Sequence, residues 1–484
     1  MEAPIQTKHE ERAIESQQSR KSPDTFEAGE LISAGSQHLH RRLGGKEIQL
    51  FAVGGAIGTS LYVQMGASLP KGGPAGLFLG FVLYGTIVLA VNQCFAEMVT
   101  YMPIASPFVR LGAFNIPYEI TAIHVLLTYW TDKVHVGVVV AVCLVIYSVL
   151  NGLTVKYFGI SEFYMSIFKI FLMLGLMMYT FITMVGGNPD KDPYGFRYWR
   201  DPGAFVEYLV PGDTGRFLGL LSCMIQGSFT MRLMFFFIGG ALCVGIVIPS
   251  PYVISMVKFG IKGVPDLVNA LIMTSVLSAG NNVVFSAART LHGMALDGKA
   301  PSFLAKCNKY GLPYYAVTIS LLFCFLSLLQ IGNTSSTVLS WFVGICTASY
   351  LLNYFGTVVT YLHFYYTMQR KGMSRETLPY KSRFQPFAAW YALVGTFLMT
   401  LVLGYTVFID GQWDTTTFFT SYTMVGFFVV AFAGWKVIRR TRYVRVGEAD
   451  LGLGKTKEEI DLYEALYEKP RRGRVLRWLN EWFE

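Results

Sequence analysis

Charge is scarce in this sequence: Asp, Glu, Lys and Arg make up 15% of its 484 residues, against 53% hydrophobic residues. A soluble chain of this length carries about a quarter charged residues and divides into two or three domains, so that class is excluded. The seven cysteines have no paired spacing, and Cys94, Cys143, Cys223, Cys243, Cys324 and Cys346 lie inside apolar stretches, with Cys307 alone outside. They form neither a disulfide frame nor a zinc site. The histidines are scattered, apart from His38 and His40, and none has metal-ligand spacing. The glycine-rich Leu69-Pro70-Lys71-Gly72-Gly73-Pro74 lacks the Gly-Lys-Ser/Thr ending of a phosphate-binding loop, which leaves an ATP-driven pump unsupported. With no catalytic cluster, the chain reads as no enzyme, and nothing in it calls for a cofactor or a metal.

What the sequence has is long apolar runs, each suited to the ~30 Å hydrocarbon core of a bilayer. They show no β-barrel alternation, so helices are the remaining way to satisfy the backbone in lipid. The expectation is an all-α polytopic membrane protein of about twelve transmembrane helices. Its spans fall roughly at 48–66, 75–101, 116–130, 134–154, 161–186, 217–231, 233–249, 265–288, 314–331, 335–361, 387–409 and 416–437. The spans at 116–130 and 217–231 are short, reaching only about 22 Å at 1.5 Å per residue.

The formal net charge of +9 sits in short loops and in the tail, as membrane topology requires, and no nucleic-acid partner is expected. Basic groups flank the spans at Arg41/Arg42/Lys46, Arg110, Lys156, Arg289–Lys309, Arg370–Arg383 and Lys436–Arg445. If all are cytoplasmic, an even number of crossings separates neighbouring groups. That parity makes 217–249 cross twice, puts both termini inside, and places 187–215 outside. Residues 1–46 are polar, lack an apolar leader core and read as a disordered cytoplasmic tail. Residues 47–438 form the transmembrane domain and 439–484 a cytoplasmic C-terminal tail, which reads equally as a solvated tail or an amphipathic helix at the inner leaflet.

Several buried-looking groups carry chemistry. Gly54, Gly55, Ala56, Ile57, Gly58 and Thr59 interrupt the first span with three glycines in five residues, each costing about 1 kcal/mol relative to alanine. An unwound turn at mid-membrane is tolerated where it lines a cavity, and its half-helix ends suit an amine and a carboxylate. Close helix packing is the other reading. Lys169 lies deep in the fifth span, at a cost of roughly 2.5–3.5 kcal/mol unless it faces protein or water. It is either a titrating amine that couples proton movement or a permanently paired structural lysine. Glu97 lies near the inner end of the second span, where a carboxylate reaches the headgroups cheaply. Glu119 follows Pro117 in a short span. Ser278 and Asn281, within Ser278-Ala279-Gly280-Asn281-Asn282, line a cavity or bond between helices.

Phe51–Leu61, Gly72-Gly73-Pro74-Ala75-Gly76, Gly195–Gly203 and Ser278–Pro301 together resemble fungal amino-acid permeases of the amino acid–polyamine–organocation superfamily, over about Arg41–Arg440. The resemblance implies two inverted five-helix repeats plus two extra helices. It also implies proton-coupled symport of amino acids across the plasma membrane by alternating access, with the amino acid and protons as partners. By the same resemblance, Gly54–Thr59 bind the substrate. Lys169 matches a position that holds sodium in related symporters, and Glu119 matches a glutamate associated with coupling.

The sequence departs from the family at Phe114/Asn115, at Met231/Arg232 and near Pro249-Ser250-Pro251, where stretches that otherwise match are joined directly. Spans three and six are therefore truncated, as internal deletion, exon skipping or a misread gene model would leave them. A working transporter, a transporter-like amino-acid sensor and a non-transporting product all remain open at this point.

Overall fold

A computed structural model of the chain describes residues 65–102, 112–152, 155–201, 203–230, 252–308 and 311–451. Every regular element among them is helical. In chain order the α-helices are α1 (Met65–Tyr101), α2 (Asn115–Leu127), α3 (Val136–Gly152), α4 (Val155–Met184), α5 (Gly212–Thr230) and α6 (Tyr252–Lys258). They continue with α7 (Val264–Leu296), α8 (Tyr314–Leu322), α9 (Ser335–Arg370), α10 (Phe387–Val402) and α11 (Thr415–Arg439). Apart from the short α6, they match the expected spans two to six and eight to twelve; the spans at 48–66 and 233–249 lie almost wholly outside the described residues. Six helical stretches among the described residues are long and apolar enough to cross a bilayer. The outer faces of α4 and α11 expose Phe168, Phe171, Phe181, Phe427, Val430 and Phe432, side chains suited to a hydrocarbon surround.

Helix α2 sits at the centre. Its 13 residues reach only about 20 Å, the short span that the sequence leads one to expect. Every residue from Asn115 to Ile123 is buried, and a helix covered on all sides belongs in the core of a bundle. Helices α7, α9 and α3 pack around it, with α4 and α8 against α7. Helix α8 tightens into a 3-10 helix over Phe323–Ile331. There Ser327 Oγ donates to Pro117 O at 3.2 Å and Gln330 Nε2 to Thr121 Oγ1 at 3.1 Å.

Helix α1 begins well before residue 75. The expected second span starts at 75, yet the chain is helical across Pro70 and Pro74, on both sides of a kink where Gly73 takes φ 70°. A Cβ there would stand 2.8 Å from Ala204 O, so close approach also demands the glycine. The same closeness runs down the seam between α1 and α5, where a Cβ on Gly219 would fall 2.5 Å from Lys71 O. Small residues let helix backbones touch in this way.

Glu97 corrects the sequence reading. It is fully buried rather than reaching toward headgroups. Its carboxylate pairs with Arg375 and accepts from Tyr361 Oη at 2.6 Å and from Ser382 N at 2.7 Å. The loop between α9 and α10 is thereby pinned to the end of α1. The segment after α11 returns to the same end: Arg370 and Lys371 donate to the carbonyls of Val446 and Ala449, and Gly447 N donates to Thr367 Oγ1. The basic groups at 370–383 and 436–445 therefore share one end of the bundle.

Candidate functional site

Helix α4 carries Glu162 and Lys169, two turns apart and so on one face. Helical side chains lean toward the N-terminus, which lets the lysine reach back: Lys169 Nζ lies 3.6 Å from Glu162 Oε1, with the two side chains 2% and 1% exposed. Across the seam, α7 presents Ser278 and Asn282, four residues apart and thus neighbours on its surface. Ser278 Oγ and Asn282 Nδ2 both donate to Glu162 Oε1 at 2.6 Å. One carboxylate oxygen thus gathers two neutral donors and an ammonium.

The next turn of the site joins α7 to α3 and α2. Asn151 Nδ2 donates to Asn281 Oδ1 at 2.7 Å and to Tyr147 O at 3.0 Å. Gly280 faces Tyr147, and an added Cβ would lie 2.0 Å from its hydroxyl and 3.3 Å from Glu119 Cβ. Glu119, buried on α2, lies within electrostatic reach of Lys169. Glu162 Oε2, Ser166 Oγ, Tyr147 Oη, Asn281 Nδ2 and Asn282 Oδ1 are buried without hydrogen-bond partners. The cluster therefore holds more bonding capacity than its own members use, and a dry, fixed core leaves few such atoms.

Of the residues singled out in sequence, Glu119, Lys169, Ser278 and Asn281 come together here. Gly54, Gly55, Ala56, Ile57, Gly58 and Thr59 lie outside the described residues. Glu162, Tyr147 and Asn151 were missed. The signal for Glu162 was present as a second charged residue in an apolar run, spaced seven residues from Lys169. Nothing local marked Tyr147 or Asn151. Beside this cluster Tyr118 meets Phe229 of α5 edge-on at 4.9 Å, and Phe229 meets Tyr350 of α9 at 6.1 Å, an aromatic wall shared by α2, α5 and α9.

An apolar helical bundle of this kind is a polytopic membrane protein, and its family makes it a transporter and not an enzyme. The chain belongs to the amino acid permease family, whose profile matches residues 47–113, 107–232 and 229–446. It is 36% identical to the general amino acid permease AGP2 of Saccharomyces cerevisiae, over 89% of this chain and 85% of that protein. It is 32% identical to the proline-specific permease of Emericella nidulans, over 87% and 89%. A probable proline-specific permease of Schizosaccharomyces pombe is 29% identical over 98% and 99%. These alignments run to 506, 492 and 552 positions, more than the chain's own 484 residues, so each relative has residues opposite gaps in this chain. The family match divides within 107–113 and 229–232, beside the two joints singled out in sequence.

Proposed function

We propose that this protein carries amino acids across the plasma membrane as a proton-coupled symporter that works by alternating access, with both tails in the cytoplasm. The observation that carries the reading is the convergence of Glu119, Lys169, Glu162, Ser278 and Asn281 at the meeting of α2, α4 and α7. An intramembrane ionisable pair is costly unless it does work, and amide and hydroxyl donors from facing helices hold it in place. Glu119 and Lys169 take the coupling role. Gly54–Thr59 bind the amino acid's charged ends, and Ser278 and Asn281 line the cavity. The basic end of the bundle, at 370–383 and 436–445, is the cytoplasmic one.

A second reading is supported by the divided family match and the gapped alignments: a shortened permease whose transport is impaired. A broken first span builds a site together with its inverted counterpart in span six, and the second joint falls at that helix. Uptake of radiolabelled amino acids into proteoliposomes that collapses with a protonophore supports symport. Failure to take up any of the twenty by a folded, monodisperse sample overturns it. Sequencing the transcript across Phe114/Asn115 and Met231/Arg232 then decides whether the missing segments exist.

A further inference from the structure

Glu162 belongs to the cluster above but has no role of its own in the coupling scheme, yet Ser278, Asn282 and Lys169 all meet on it. Its Oε1 accepts from Ser278 and Asn282 and pairs with Lys169, while its Oε2 has no partner. We propose that Glu162 is the positioning residue for Lys169: it holds the ammonium at the seam of α4 and α7, so that a change in the proton held there alters how the two helices are tied. The proposal rests on the proton-coupled reading and adds a residue to it.

The charge arithmetic supports it. Among the described residues, Glu162 on its own helix and Glu119 on α2 are acidic neighbours of Lys169, and the α7 side chains that donate to Glu162, Ser278 and Asn282, are uncharged. With Lys169 charged, Glu162 is a counter-ion whose Oε1 is shared between α4 and α7. Once the lysine gives up its proton, the carboxylate is a buried anion held by two neutral donors alone, a state a low-dielectric interior disfavours. The seam is then tightest with the proton present, which links proton occupancy to helix position without any direct contact between Glu162 and the substrate.

The test uses the full-length protein in proteoliposomes with Glu162→Gln, which keeps an acceptor oxygen for α7 and removes the charge, and with Glu162→Asp. Positioning predicts that E162Q loses about tenfold or more of proton-driven accumulation and shifts its pH profile, because the buried lysine loses the carboxylate it pairs with on its own helix. Equilibrium binding of the labelled amino acid changes less than about threefold, and E162D recovers part of the accumulation and of the pH profile. An E162Q protein with wild-type accumulation and pH profile overturns the proposal. So does one that loses binding and accumulation in parallel, since that marks a merely structural residue. If the wild type ignores the protonophore, the proton-coupled reading itself fails and takes this proposal with it. A second measurement is independent of transport. Lys169→Ala leaves Glu162 an unpaired buried carboxylate, and such groups neutralise. The infrared carbonyl band of a protonated carboxyl group is then expected in K169A and lost in the K169A/E162Q double variant; its absence from K169A overturns the pairing.

Discussion

Gly280→Ala is the sharpest probe of the site. The new methyl group would stand 2.0 Å from the Tyr147 hydroxyl, 2.7 Å from its ring carbon Cζ and 3.3 Å from Glu119 Cβ. Tyr147 is fully buried, so its ring has nowhere to swing and α3 or α7 must shift. Overpacking of this kind costs about 1–3 kcal/mol, and the shift displaces Glu119 as well. The Tyr147 hydroxyl makes no hydrogen bond, so Tyr147→Phe alone is expected to cost little. Combined with Gly280→Ala it removes the nearest clashing atom and leaves the ring carbon. The pair should therefore show a favourable coupling of about 0.5–1 kcal/mol, with incomplete rescue. Thermal and denaturant unfolding of the four purified proteins in detergent supplies the cycle, and uptake against external pH shows whether Glu119 has moved. Wild-type unfolding of G280A, or strictly additive effects of the two changes, refutes the packing argument.

The other predictions test the frame around the site. Arg375→Ala leaves the fully buried Glu97 carboxyl without its cationic partner, with Tyr361 and Ser382 N as its donors, and should lower stability by about 3 kcal/mol; an unfolding midpoint equal to wild type contradicts the burial of the pair. Gly219→Leu drives a side chain into the backbone of α1 at Lys71 and should abolish monodisperse expression, whereas the same change at the open Gly426 leaves the elution profile intact. In the loop between α4 and α5 the Arg197 guanidinium, bonded to both Asp192 oxygens, holds that carboxyl below its usual range. A depressed value means the latch is fully present above the unfolded value of about 3.9 and lost only as pH falls through the lower folded one. Limited proteolysis of residues 188–200 should then be unchanged from pH 8 to pH 5 and faster at both for Asp192→Asn. Equal cleavage of variant and wild type removes the latch from consideration.

The amino-acid sequence by itself determined the solvent, the class and the kin of this protein. A bilayer demands long apolar runs with internally satisfied backbone, and such runs are written locally, one span at a time. The depth of Lys169 and the polar stretch at Ser278–Asn282 were legible for the same reason, because a polar group inside an apolar span stands out without knowledge of its neighbours; the burial of Glu119, at the start of a short span, was not. Short span three was legible from its length, and it became the central helix. Tertiary structure alone decided who meets whom. Glu97 was read as a headgroup-seeking carboxylate until Arg375, Tyr361 and Ser382, all more than 260 residues away in the chain, were brought to it. Glu162 became the hub of the site only through α7, and Asn151 and Tyr147 became part of it only because Gly280 lets α3 approach. Helix periodicity states which residues share a face, but the pairing of faces depends on the packing of the whole bundle, which no single span encodes.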